Sequence, residues 1–375
     1  MISRNACYWI WITLSIGYNN PKVKRISEMY SDVSAFYYGG ISEWRLCGIF
    51  SQKDIERFSS TGLDDAKKIV DRCIECNYSI LCIDDELFPK CLYNIECPPA
   101  LIYINGVMPD IDNTFSIGIV GTRRATKYGI ENSYRFAYAL SKYGTIIVSG
   151  GALGVDGASH RGALATDGIT ICVRGCGLNC SYLRENSDIR STIPKRGAVI
   201  TEYPPDETPR NYYFPARNRI IAALSDGLLV MEAGKKSGSL ITANLAAEQG
   251  KTIFALLGNN SPQNEGSNAL IKEGLAIPVT DFMDILCEFD SLYATTDDEF
   301  DIDNISLADT GNFPVKGIRK QASARIYVNK QNDQQSAKTA VPYVSEKSET
   351  VVSKPVHKEN LNLPKTAQDV YEYIG

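Results

Sequence analysis

Four short segments carry residue types suited to holding an anion. They are Gly121-Thr122-Arg123-Arg124, Ser149-Gly150-Gly151-Ala152-Leu153-Gly154-Val155-Asp156, Phe214-Pro215-Ala216-Arg217-Asn218-Arg219 and Glu232-Ala233-Gly234-Lys235-Lys236-Ser237-Gly238-Ser239. A glycine at a turn lets backbone N–H groups face a phosphate, and an arginine beside it adds a planar, bidentate donor. The third segment sets an aromatic next to arginines at a helix start, a pairing suited to base stacking and phosphate contact. Arg217 and Arg219 are two apart on that helix and cannot share a face, so Arg217 is expected to point outward to ligand and Arg219 to brace the structure. Ser239 is placed to cap the helix that follows, or to donate to a phosphate. Taken singly, GTR reads as a tight turn, Phe214 equally as core, and a glycine-rich loop as helix–strand packing.

Other chemistries find less support. No segment reads G-x-x-x-x-G-K-[ST], and no G-x-G-x-x-G with a ribose-binding acid follows a strand, so ATP hydrolysis and dinucleotide chemistry lose their usual carriers. Glu202 and Glu232 are candidate acids for a hydrolase, although each follows a strand and is equally suited to binding nearby N–H groups. Cys73 and Cys76 form a C-x-x-C, but no second pair or histidine completes tetrahedral spacing, so no metal is expected. The eleven cysteines, mostly inside apolar patterns, read as reduced thiols of a cytoplasmic protein.

These segments must be positioned by a core, and the chain supplies one. From residue 115 onward, short β-branched runs alternate with amphipathic helical stretches. The runs are 116–120, 145–149, 169–173, 198–201, 227–231, 252–256 and 276–280. Continuous apolar runs of this length suit strands buried on both faces, so 115–290 reads as an α/β, Rossmann-like, doubly wound and mostly parallel sheet. Residues 1–95 read as a small helical domain of the SAM or helix-hairpin-helix kind, with Ala6 to Gly17 as a buried first helix rather than a signal peptide. Residues 96–114 read as a connecting arm. Residues 291–360, rich in Asp, Asn, Ser, Gln and Lys, read as a disordered C-terminal tail, and 361–375 as a terminal amphipathic helix. No apolar run approaches the ~18 residues of a membrane span. The formal net charge is −5, yet residues 116–290 hold 18 Lys/Arg against 17 Asp/Glu, so a local basic groove is compatible with an acidic total.

The series VGTRRATKYG, VSGGALGVDGASHRGAL, FPARNRIIAALSDGLLVMEA, SGSLITANLAAEQGK and GSNALIKEG resembles the DNA-processing protein A (DprA/Smf) family, almost continuously from about 117 to 290. The first domain and an FPxxL-like arm, here Phe88 to Leu92, are similar in layout. The resemblance implies a non-enzymatic, single-stranded DNA-binding protein that protects incoming strands. It would load RecA recombinase during natural transformation, alongside single-strand binding protein, as a homodimer without membrane association or cofactor. It puts Arg123 and Arg217 on phosphates and Phe214 against a base. Gly121, Thr122, Ser149, Gly150, Gly151, Asn218, Gly238 and Ser239 would line the groove, with Arg184 and Arg210 in loops that align loosely. Ile271 and Leu275 are candidate dimer contacts. The chain departs from the family in three places: Tyr182-Leu183-Arg184-Glu185-Asn186 replaces a Y-P sequence, ALLGNNSPQNEGSN replaces a glycine-proline pattern, and LPKTAQDVYEYIG matches only the first helix of a winged-helix domain. The alternative is a nucleoside-monophosphate phosphoribohydrolase-like enzyme, whose loop glutamate is missing from MEAGKKSGSLIT. A third reading is a protein-interaction module with a vestigial groove.

Overall fold

The first helix, α1 (Ala6–Ile16), is apolar on every side, and such a helix has to be enclosed. Trp9, Ile10, Trp11 and Ile12 are fully buried in a computed structural model that describes residues 1–289, together with a backbone pairing of 293–294 with 319–320. Around α1 are gathered α2 (Lys22–Met29), α3 (Val33–Leu46), α4 (Gln52–Ser60) and α5 (Leu63–Glu75). α3 is kinked at Gly40 (φ 62°), and α4 opens with a reciprocal cap between Ser51 and Asp54. The tail expected over 291–360 and the helix over 361–375 otherwise lie outside the described residues.

The helical part does not end in a free-standing domain. Strand β1 (Ser79–Cys82), the short α6 (Lys90–Tyr93) and β2 (Leu101–Gly106) follow it. The stretch expected as a connecting arm therefore holds a strand. β2 pairs antiparallel with β1 on one side and, across about a hundred residues, with the sheet on the other. Its alternation is hidden in the sequence because LIYI is buried on both faces.

The remaining elements alternate as expected: β3 (Ser116–Val120), α7 (Lys127–Lys142), β4 (Ile146–Ser149), α8 (Val155–Leu164), β5 (Thr170–Val173), α9 (Ser187–Thr192) and β6 (Ala198–Thr201). Then come α10 (Tyr213–Ala223), β7 (Gly227–Val230), α11 (Gly238–Glu248), β8 (Thr252–Leu256), α12 (Glu265–Lys272), β9 (Ile277–Val279) and α13 (Met283–Phe289). The nine-stranded sheet runs β1-β2-β6-β5-β4-β3-β7-β8-β9, parallel from β6 to β9.

Alternate residues of each strand enter different cores. Ile117, Ile119, Ile147 and Leu229 pack with Phe136 and Leu140 of α7 and Ile285 of α13. Val120, Val148, Leu228 and Val230 pack with Ile220 of α10 and Ala243 of α11. Helices on both faces of a parallel sheet define the doubly wound arrangement, and they leave the carboxyl ends of seven strands on one rim.

Candidate nucleic-acid interface

β4, β5 and β6 step away from β3 on one side, and β7, β8 and β9 on the other. The strand order reverses between β3 and β7, where an open α/β sheet normally holds its ligand. Here that crevice is stoppered by Glu232, which directly follows β7 and is 1% exposed. Its carboxylate accepts from the Thr126 N–H at 2.8 Å and the Thr126 hydroxyl at 2.5 Å. It lies so close to Gly129 of α7 that any side chain there would collide with it. The Glu232 carbonyl accepts from Thr122 N at 2.7 Å. The other candidate acid, Glu202, is engaged by both terminal nitrogens of Arg219 at 2.7 Å, in a pair sealed from solvent.

A depression opens instead at the ends of β4 and β5. Its lining contains four arginines, Arg123, Arg174, Arg190 and Arg217, with Gly150, Gly151, Gly175, Tyr182 and Phe214. Arg217 is 5% exposed and lies on its floor rather than pointing freely outward. It donates to the carbonyls of Gly150 (2.9 Å) and Val173, and its Nε donates to Asn218 Oδ1 at 3.1 Å. The spacing argument held that Arg217 and Arg219 cannot share a face, and they do not. Both are nevertheless buried, because α10 is enclosed on two sides and each guanidinium finds acceptors within the protein. A Cβ on residue 150 would sit 2.7 Å from the Arg217 guanidinium, so only glycine admits this packing. Gly154, with φ 77°, turns the same loop into α8.

Arg174 donates to Leu178 O and Cys180 O, both at 2.7 Å, and to Cys176 Sγ at 3.2 Å, closing its own loop around itself. Arg190 donates to Leu183 O at 2.6 Å. Arg123 is exposed on the rim. It donates to the Tyr182 hydroxyl at 3.2 Å and stacks 5.2 Å above the Phe214 ring, which packs 5.3 Å from the Tyr182 ring.

Two thiols and one carboxyl group lie buried near these arginines. Burial pushes the Cys172 and Cys176 thiols up to about 11, so both are neutral near pH 7. Burial also raises Asp156, against the opposing pull of Arg217, and draws the Arg217 guanidinium downward. Three guanidiniums are thus fixed by backbone carbonyls, while Arg123 is held at the exposed rim by the Tyr182 hydroxyl and the Phe214 ring, an arrangement chemically suited to an anion.

Of the residues singled out in the sequence, Arg123, Gly150, Gly151, Phe214 and Arg217 come together in this depression. Asn218 supports Arg217. Ser149 does not face the rim: it is fully buried and donates to Ile119 O at 2.6 Å. Gly121 packs against Val155 and the Glu232 carbonyl, and the Thr122 hydroxyl accepts from Arg124 N at 3.2 Å. Arg184 is exposed, beside Leu183 in the left-handed region. Arg210 is exposed and pairs with Glu207 at 3.1 Å. Gly238 and Ser239 follow β7, beyond Glu232, outside the depression's lining. The cap of α11 is Ser237, which accepts from Ser239 N, whereas Ser239 shares a 2.7 Å hydroxyl contact with it. Leu275 is exposed and Ile271 half-buried. Arg174, Arg190 and Tyr182 also line the depression and were not singled out from the sequence as site residues, although RGCGLNC is another glycine-bearing loop following a strand.

Elsewhere, Cys73 is buried in α5 and Cys76 ends that helix. Cys82, Asp84 and Asp85 cluster at the end of β1. There Asp85 accepts from Cys82 N and Ser3, and Asp84 from Asn5. Among the described residues no helix is long and apolar enough to cross a membrane.

Residues 79–290 match the family model described as DNA recombination-mediator protein A. Protein Smf of Escherichia coli is 39% identical over 212 residues, 56% of each chain, so the match spans little more than half of either protein. The structure of DNA processing protein A from Streptococcus pneumoniae aligns with a TM-score of 0.66 at 30% identity, over 75% of this chain and 96% of that one. The structure of the Helicobacter pylori protein, reported for its single-stranded DNA binding mode, aligns with a TM-score of 0.52 at 33% identity, over 56% of this chain and 95% of that one.

Proposed function

Because the chain belongs to the DNA recombination-mediator protein A family, we propose that it binds single-stranded DNA along the carboxyl rim of its sheet, with backbone phosphates held over the arginine depression. The observation that carries this reading is the convergence of Arg123, Arg174, Arg190 and Arg217 around the Gly150-Gly151 turn. Guanidinium groups so arranged suit phosphate oxygens, and the Phe214 and Tyr182 rings beside them suit a base face. Binding of this kind carries little base specificity, because phosphate contacts carry none.

The protein acts, on this reading, as a recombination mediator in the cytoplasm. It protects incoming single strands during natural transformation and loads RecA recombinase on strands also handled by single-strand binding protein. It works as a homodimer through the face holding Leu275 and Ile271. Residues 115–290 form the DNA-binding unit and 1–95 an accessory one. It performs no hydrolysis: a nucleoside-monophosphate hydrolase would need an uncommitted carboxylate on this rim, and Glu232 and Glu202 are each spent on internal partners.

The test is an anisotropy titration of single-stranded against duplex oligonucleotide over a range of salt, with mass measured in solution. Single strands are expected to bind more tightly, with an affinity that falls steeply as salt rises. Equal binding of both forms, or affinity insensitive to salt, refutes the reading.

A further inference from the structure

One wall of the arginine depression is the loop from Arg174 to Tyr182, and the other is the start of α10. Both are gripped from outside by residues that precede β2. Asn179 is at the tip of the first wall. Its Nδ2 donates to Asp206 at 2.7 Å, and its Oδ1 accepts from the Tyr78 hydroxyl at 2.8 Å. Arg72 of α5 donates to the other oxygen of Asp206 at 2.9 Å. Backbone bonds complete the grip, from Asn179 N to Pro205 O (2.8 Å) and Gly177 N to Glu207 O (2.9 Å). At the second wall Tyr18, from the turn after α1, packs 4.9 Å from the Tyr203 ring, which stacks at 3.9 Å on Tyr213, the residue before Phe214.

We propose that the helical bundle is a brace for the nucleic-acid pocket, and that Asn179 is the positioning residue through which α5 and Tyr78, just before β1, aim Arg174. The link is short. Arg174 spends its guanidinium on the carbonyls of Leu178 and Cys180, the two residues flanking Asn179. Where Asn179 is pinned, those carbonyls are fixed, and they fix the face that Arg174 turns to the strand. A binding group must be held within about 0.5 Å by such supporting contacts to work at full strength. The latch itself is exposed: Arg72 and Asp206 are 44% and 58% exposed as side chains. Exposed bonds add little to global stability, so loosening them alters the pocket without unfolding the chain.

This inference rests on the depression being the single-strand site, and its test separates the two. In the full-length chain, Asn179→Ala is expected to bind a labelled oligothymidylate about fivefold more weakly. The salt slope should be unchanged, because the same phosphates are touched, and the melting temperature should stay within ~2 °C of wild type. Arg72→Glu acts in the same direction, and Arg72→Lys binds within about twofold of wild type. The double variant Asn179→Ala/Arg72→Glu is no weaker than the worse single, because both act through Asp206. If Asn179→Ala binds like wild type while Arg123→Ala is impaired, the brace is refuted and the pocket stands. Additive effects, failure of Arg72→Lys to retain binding, or losses that track a large fall in melting temperature refute it equally. If the wild type does not bind the oligothymidylate, brace and pocket fall together.

Discussion

The rim of the sheet presents two hollows of opposite character. Between β3 and β7 the hollow is filled by the Glu232 carboxylate, whereas above β4 and β5 it is lined by four guanidiniums. Topology makes the first the expected ligand site, yet a single strand-end side chain closes it. The lesson is that a fold determines where a crevice forms, and the residue leaving the strand determines whether a ligand enters. The two hollows also differ in how they hold buried charge. Glu232 accepts from Thr126, while Arg174, Arg190 and Arg217 are anchored by neutral backbone carbonyls.

Five perturbations would sharpen or break this contrast. The largest concerns an arginine that only braces. Arg219→Ala strands Glu202 in the interior and should cost about 3–5 kcal/mol in urea unfolding. A loss below ~1 kcal/mol would show that the pair contributes little.

Acid should next weaken the half of the sheet beneath the arginines. Burial holds His160, on α8 and in contact with Thr170 of β5, at about 3, far below the ordinary histidine value of about 6.5, so it stays neutral in the folded state. A depressed pKa means stability is full above 6.5 and is lost as pH falls from there towards 3. The loss should reach ~2 kcal/mol by about pH 5. His160→Gln should flatten this dependence in thermal melts, and an unchanged profile would assign the acid sensitivity to other groups.

Arg123→Ala should weaken single-strand binding about tenfold for any base sequence and lower the salt slope by about one phosphate, with stability unchanged. Arg217→Ala should lose both binding and stability, because it is the floor of the depression and, in the proposed site, a phosphate contact. Smallest is Glu232→Gln, which retains the shape of the stopper. Oligonucleotide affinity should stay within about twofold while stability falls by ~1 kcal/mol through the Thr126 N–H. Abolished binding would relocate the site to the crevice between β3 and β7.

Much of this was legible from residue order. SIGIV, TIFAL and GLLV declare themselves because strands buried on both faces need continuous apolar runs, and each is confirmed in the sheet. β2 was not legible, because prolines flank it and its partner β6 lies far along the chain. Within the site, the GTR and SGG turns were readable from their glycines. The RGCGLNC wall was not, because its cysteines resemble core residues and Arg174 acquires meaning only when its loop folds around it. The burial of Arg217 was equally hidden: the acceptors that hold it come from β5 and from the turn after β4, which no pattern local to α10 reveals.

The antiparallel pairing of β2 with β6 has a consequence for synthesis. β2 is complete at Gly106, but its partner Ala198–Thr201 emerges about a hundred residues later. At ~5–20 residues per second, the helical bundle leaves the ribosome with one strand edge unclaimed for at least several seconds. Bare edges of that sort invite wrong partners, so the nascent chain is most vulnerable to self-association between the making of its first hundred residues and its second.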